Sequence, residues 1–266
     1  MASSVLVFDS GVGGLSVLQE IHQYCPPMPI YYLMDREGFP YGIKEDEPLA
    51  QRILTLCQEA VAVLKPSLLV IACNTASTLA LPLLRQHLTI PIVGVVPAIK
   101  VAAELSPNRC IGLLATPATV NRPYINDLIN EFANDCTVTR FGSSALVHYA
   151  EHWLAQQQPP DALFEHLNGW LSDTPQPSHV VLGCTHFPLL RDFLERLWPH
   201  VTWIDSGAAI ARRVASLLAP DAHQNGHFEL YWTGTSEIES GVLMFLQGIG
   251  NVTRAQPLTT QISYTK

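Results

Sequence analysis

Short runs of consecutive apolar residues alternate along the chain with longer stretches in which apolar residues recur every three or four positions. The first run, residues 5–8, stops at Asp9-Ser10-Gly11. The spacing then changes, and Leu15, Leu18 and Ile21 share one face of a helix over residues 15–24. A second strand is predicted at 30–34, a long amphipathic helix at 47–64, a strand at 68–72 and a helix at 75–87. A strand at 92–95 and a helix at 98–105 follow. The alternation continues with strands at 110–115, 137–141, 179–182 and 201–204, and helices at 120–132, 162–171, 189–198 and 208–218. The polar, proline-containing stretches 156–160 and 173–177 read as loops. Strands that are apolar throughout are buried on both faces, and helices between them predict parallel sheets. Ligands then collect at the carboxyl ends of the strands.

Two short patterns occur twice. Asp9-Ser10-Gly11 follows a strand and opens a helix, and so does Asp205-Ser206-Gly207. Ala72-Cys73-Asn74-Thr75 has the same placement as Gly183-Cys184-Thr185-His186. Two echoes in one structural context predict two similar doubly wound α/β domains that face each other, with the site between them.

Composition narrows the class. The 266 residues include 15 Lys and Arg against 23 Asp and Glu, a net charge of −8. Only 14% of residues are charged and 48% are hydrophobic, enough to bury a core and too apolar for a disordered chain. An acidic chain argues against nucleic acid as the main ligand, because phosphate contacts draw on Lys and Arg. The start of the sequence lacks the basic region of a secretory signal. The longest apolar stretch, 90–99, is half of the ~20 residues that cross a bilayer. The six cysteines form no Cys-x-x-Cys pair, so neither a zinc ribbon nor a disulfide framework is expected. The expectation is a cytoplasmic protein.

Cys73 and Cys184 stand out from the other four cysteines, which read as small core residues. Each sits where a strand ends and a helix begins, near unpaired N–H groups that favour a thiolate and bind anions. Two thiols from facing halves suit a symmetric task such as racemisation. One removes a proton from one face of a carbon and the other returns a proton to the opposite face. A buried hydrophobic role, or a disulfide between the two, remains the alternative. Asp9 reads either as a helix cap or as a proton partner of one thiol, and Asp205 reads as a cap. His186 could tune Cys184, and no Cys or His cluster completes a zinc site. Gly11-Val12-Gly13-Gly14 lacks the third glycine of a dinucleotide loop, since Ser16 stands there, and it reads as backbone approaching a small ligand. No lysine accompanies the thiols, so pyridoxal phosphate is not indicated, and no cofactor is.

These residues resemble the cofactor-independent glutamate racemases of the aspartate/glutamate racemase family. The likeness runs through 7–16, Phe39-Pro40-Tyr41-Gly42, 72–77, 93–100, 112–116, 181–190 and 205–207. It implies that Cys73 abstracts the proton of D-glutamate and Cys184 that of L-glutamate. Asp9 would assist the first thiol and His186 the second. Substrate contacts carry over to Asp9, Ser10, Tyr41, Gly42, Asn74, Thr75, Thr185 and His186. A catalytic Glu of the family falls on Glu151, within Ala145-Leu146-Val147-His148-Tyr149-Ala150-Glu151. The resemblance implies one α/β domain from 1–97 and 207–266, and a second from 98–206. It implies supply of D-glutamate for peptidoglycan and a homodimer, and some family members inhibit DNA gyrase. Aspartate is the alternative substrate. Some members carry a longer N-terminal extension linked to activation by a peptidoglycan precursor. Asp9 lies eight residues from the start here, so such activation is not expected.

Overall fold

The structure is a computed structural model and describes residues 3–173, 175–218 and 225–258. Thr174, in the predicted loop 173–177, and the ends of the expected domains at 1–2 and 259–266 lie outside the described residues, as do 219–224. The chain begins with strands β1 (Val5–Asp9), β2 (Pro29–Met34), β3 (Leu68–Ile71) and β4 (Ile92–Gly94). It next builds β5 (Cys110–Ala115), β6 (Thr137–Gly142), β7 (His179–Leu182) and β8 (Thr202–Ile204). It closes with β9 (His227–Trp232) and β10 (Val252–Pro257). Among the described residues the strands form two sheets, ordered β10-β9-β2-β1-β3-β4 and β6-β5-β7-β8. Every pairing is parallel. The first sheet is therefore assembled from both ends of the chain, with the second built between them.

The helices begin with α1 (Leu15–Tyr24), α2 (Asp46–Leu64), α3 (Asn74–His87), α4 (Ile99–Leu105), α5 (Pro117–Val120) and α6 (Pro123–Phe132). After these come α7 (Ala145–Gln156), α8 (Leu163–Ser172), α9 (Arg191–Leu197), α10 (Gly207–Leu217) and α11 (Ser240–Ile249). Helices α1 to α4, α8 and α10 fall where the apolar spacing places them. Strand β1 shows why the sheets are buried on both faces. Val5 and Val7 enter one apolar cluster with α1 and α10, while Leu6 and Phe8 enter another with α2 and α3. In the second sheet Val180 and Leu182 pack on the α7–α8 side, and Val181 packs towards α4 and α6. Among the described residues no helix is long and apolar enough to cross a membrane.

Three differences from the sequence reading matter. The helix expected over 120–132 is two helices, because Pro123 has no N–H to offer and its ring excludes the preceding turn. The helix expected at 189–198 begins instead as a 3-10 turn, Phe187–Leu190, and becomes α-helical only at Arg191. Helix α7 and the whole segment β9–α11–β10 had no counterpart in the predicted pattern.

Candidate active site

The carboxyl ends of both sheets open onto one cleft of about 630 Å³. The first sheet contributes Ser10 after β1, Phe39 to Ile43 after β2, and Cys73, Asn74 and Thr75 after β3. The second contributes Thr116 and Thr119 after β5, Ser144, Val147 and His148 from the start of α7, and Cys184, Thr185 and His186 after β7. Both thiols expected to carry chemistry thus reach the same cavity from opposite sheets. Cys25, Cys57 and Cys110 are buried away from it, and Cys136 is half-buried.

The two sulfurs have different surroundings. Cys73 occupies the N-cap position of α3, as expected. Its sulfur lies 3.7 Å from the Ser10 hydroxyl, which also reaches Asp9 Oδ1 at 3.4 Å. Asp9 is fully buried beneath the cleft. Its Oδ1 accepts the Gly11 N–H at 3.0 Å, and its Oδ2 accepts the Thr185 hydroxyl at 2.9 Å, a bond from one sheet's edge to the other's. Burial pushes the Asp9 carboxyl up, opposed in part by His186, the Gly11 N–H and the Thr185 hydroxyl. Burial, and then the charge of Asp9, push the Cys73 thiol far up, against the Ala76 N–H and the Ser10 hydroxyl. The helix start was expected to favour a thiolate here. Desolvation and a neighbouring carboxylate outweigh it, and Cys73 is held as a thiol.

Cys184 departs from the echo in one respect. It precedes a turn and the 3-10 segment, not an α-helix. Its sulfur lies 3.7 Å from His186 Nδ1, and His186 Nε2 lies 2.7 Å from Glu151 Oε1. Burial alone would lower His186, but the hydrogen bonds to Cys184 and Glu151, with their charges, overcome it and hold the ring cationic well above its ordinary value. Burial alone would likewise raise Glu151. The bond and charge of His186, with the Val12 N–H, hold it below its ordinary value. Glu151 is therefore brought into the site, by α7.

The glycine loop after β1 packs closely on side chains of the second sheet's edge. A Cβ on Gly11 would fall on Glu151 Oε1, and one on Gly13 would lie 2.5 Å from His186 Nδ1. The loop presses against the His186–Glu151 pair, and Val12 N–H donates to Glu151 at 3.0 Å. The predicted echo between Asp9 and Asp205 is exact in bonding, since Asp205 accepts the Gly207 N–H at 2.7 Å just as Asp9 accepts that of Gly11. Asp205 thereby takes the first N–H of α10, in keeping with its reading as a cap, whereas Asp9 binds an N–H in the loop before α1, whose N-cap is Gly14.

Tyr41, Gly42, Asn74, Thr75 and Thr185 all line the cleft. The sequence reading passed over Thr116, Thr119, Ser144, Val147 and His148. The end of β5 marks the first two. The apolar spacing Leu146, Val147, Ala150, Leu154 would have shown that α7 points its first turns at the site. No Lys or Arg lines the cleft among the described residues. The Asn74 carbonyl oxygen is buried and has no partner among them.

Two parallel α/β sheets, with a cleft at their carboxyl edges and a thiol from each side backed by Ser10–Asp9 and by His186–Glu151, have the make-up of an enzyme site. Comparison with known proteins gives the family. Residues 5–214 match the model of the Asp/Glu/Hydantoin racemase family. The chain is 51% identical over 224 residues to a glutamate racemase of Klebsiella pneumoniae (strain 342), covering 82% of this chain and 79% of that protein. It is 46% identical over 252 residues to a glutamate racemase of Serratia proteamaculans (strain 568), covering 93% and 88%. It superposes on the crystal structure of Escherichia coli glutamate racemase, solved with L-glutamate and the activator UDP-MurNAc-ala, with a TM-score of 0.90 and 42% identity. That match covers 97% of this chain and 99% of the other. The chain belongs to the Asp/Glu/hydantoin racemase family and is an amino-acid racemase, an isomerase.

Proposed function

We propose that this racemase interconverts L- and D-glutamate by passing Cα protons between Cys73 and Cys184, without a cofactor, and so supplies D-glutamate for peptidoglycan. The observation that carries the reading is the placement of the two thiols on one cleft from opposite sheets, each with its own polar support. A thiolate on one side removes the Cα proton, and the thiol on the other side delivers its proton to the opposite face. The carbon keeps its substituents and inverts. The first thiol ends protonated and the second ends as thiolate, so the enzyme is left set for the reverse direction.

The two surroundings give each thiol a task. Cys73, held as a thiol by burial and by Asp9, has a proton to deliver, which suits turnover of L-glutamate. Cationic His186 lies 3.7 Å from Cys184 and can return a proton to it. Glu151 keeps His186 in that form. Turnover of D-glutamate makes Cys73 the base, and Ser10 and Asp9 are the groups beside it.

Glutamate carries two carboxylates, yet the cleft offers neutral donors. N–H groups at the start of α3 and the Asn74, Thr75, Thr185 and Ser10 side chains supply them. The unpartnered Asn74 Oδ1 provides an acceptor for the substrate ammonium. The L-glutamate bound in the Escherichia coli racemase supports the same substrate here.

The test is racemisation of each enantiomer, followed by circular dichroism with no added cofactor, in wild type, Cys73→Ser and Cys184→Ser. Each variant is expected to lose at least about a hundredfold in turnover, the lower range for a proton-transfer group. In deuterium oxide the wild type is expected to place deuterium at Cα of the product. A variant at wild-type rate would refute the two-thiol mechanism, and faster turnover of aspartate would refute the substrate. Adding UDP-MurNAc-ala to the same assay tests whether this chain responds to the activator bound in the Escherichia coli racemase.

A further inference from the structure

Asp35 follows β2 directly, beside Asp9 at the end of β1, and its N–H donates to the Asp9 carbonyl at 2.9 Å. It too is fully buried at the carboxyl edge of the sheet. By position it would pass for another acid or base. Its bonding says otherwise. Oδ1 accepts Arg52 Nη2 at 2.5 Å, the Thr233 hydroxyl at 2.7 Å and the Gly38 N–H at 3.2 Å. Oδ2 accepts Arg52 Nε at 2.5 Å and the Tyr41 hydroxyl at 2.6 Å. Five donors occupy the carboxylate, two of them from one guanidinium in the forked geometry that holds a carboxylate most firmly. Asp35 is absent from the cleft lining, so it meets no substrate.

The five donors span three parts of the chain. Arg52 comes from α2. Thr233 follows β9 and also accepts the Glu37 N–H at 3.0 Å. Arg36 reaches the same late segment, pairing with Glu239 at 2.5 Å and donating to the Glu237 carbonyl at 2.8 Å. Residues 36–43 are thus clamped at their start, and this loop carries Phe39, Tyr41 and Gly42 into the cleft. Burial and the charge of Asp35 push the Tyr41 phenol far up, so it stays a donor to that carboxylate. The segment that supplies Thr233 lies beyond the 5–214 covered by the family model.

We propose that Asp35, gripped by Arg52 and Thr233, is a positioning residue that fixes the 36–43 loop over the substrate through Tyr41. It rests on glutamate occupying this cleft. Its action is on binding, and it transfers no proton.

Tyr41→Phe is the cleanest probe, since it keeps the ring in the cleft and removes the hydroxyl by which the loop bonds Asp35, leaving that of Thr233. Arg52→Met and Arg52→Lys remove the fork, the second keeping the charge. KM for both enantiomers is expected to rise about tenfold in Tyr41→Phe and in Arg52→Met, the worth of one charge-assisted hydrogen bond. Turnover at saturation in Arg52→Met is expected to stay within about twofold. Arg52→Lys is expected to recover part of KM. The double variant is expected to rise little further than either single one, because both break the same link. An unchanged KM in folded Tyr41→Phe and Arg52→Met overturns the proposal. So does a fall in kcat with KM unchanged and an altered pH profile, which would make Asp35 an acid or base. Wild-type turnover of glutamate in the same plate separates these outcomes: if the wild type fails to racemise glutamate, the substrate reading falls, not the clamp. In that case the clamp is read by limited proteolysis of the 36–43 loop, where faster cleavage in Arg52→Met supports it and equal cleavage rejects it.

Discussion

Single residues in this cleft take their chemistry from their neighbours rather than from their type. His186 is cationic because Cys184 and Glu151 flank it, and Cys73 is a thiol because it is buried and has the charge of Asp9 beside it. The His186–Glu151 pair makes stability depend on pH with a definite sign. His186 titrates above its ordinary 6.5, so its contribution is complete below that pH and is lost as pH rises through the folded value. Glu151 titrates below its ordinary 4.5, so its contribution is present above that pH and is lost as pH falls through the folded value. The pair therefore stabilises most between the two ordinary values. In Glu151→Gln, urea unfolding across a pH series is expected to show a flatter decline above pH 6.5 than in the wild type. Turnover of L-glutamate by that variant is expected to fall about tenfold, the scale of one lost charged hydrogen bond. An unchanged pH slope would show that Glu151 does not set the charge of His186.

At the level of elements, helix α7 decides whether the second half of the site assembles. It carries Val147, His148 and Glu151, and its start is fixed by Ser143, whose hydroxyl oxygen accepts the Leu146 N–H at 3.1 Å and lies 2.7 Å from His166 Nε2. Burial lowers His166, which favours the neutral ring that such a contact to a hydroxyl uses. Ser143→Ala is expected to cost about 1 kcal/mol in urea unfolding, as loss of a helix cap does, and to lower activity by loosening Glu151. The same element shows where sequence reasoning ran out. Strands that are apolar throughout, such as β3 and β5, and helices with a clean stripe, such as α1, were legible because burial on the sheet dictates residue type at every position. Cys73 and Cys184 were legible because strand ends leave a local signature. Helix α7 was matched by motif at Glu151 while its stripe went unread. β9 mixes His227 and Glu229 with Phe228 and Leu230, a weaker signal than the uniformly apolar strands. The Asp35 clamp could not be read at all: its donors stand 17 and 198 positions away, and nothing local to Arg52 or Thr233 announces their destination.

For the molecule as a whole, the two sheet systems meet across the cleft through few polar links. Thr185 to Asp9 is one. Another joins Arg122, which precedes α6, to Asp46 at the start of α2 through two bonds of 2.8 and 2.7 Å. Asp46 is largely exposed, so this link is a modest, salt-sensitive tether. Arg122→Gln is expected to raise KM for glutamate by about threefold, within the range of an exposed ion pair, and to remove the rise of KM with added salt that is expected of the wild type. Identical salt dependence in both proteins would exclude a part for this tether in closing the cleft.

The first sheet, assembled from both ends of the chain, has a consequence for the order of synthesis. Cys73 and Cys184 both precede β9 by some forty residues or more, and Thr233 follows it. A growing chain on the ribosome therefore holds both thiols before the anchor of the 36–43 loop has been made. The last strands to emerge, β9 and β10, complete the sheet and bring the grip on Asp35 at the same time. A nascent chain stalled before β9 holds Cys73 and Cys184 but neither Thr233 nor the strands that complete the first sheet.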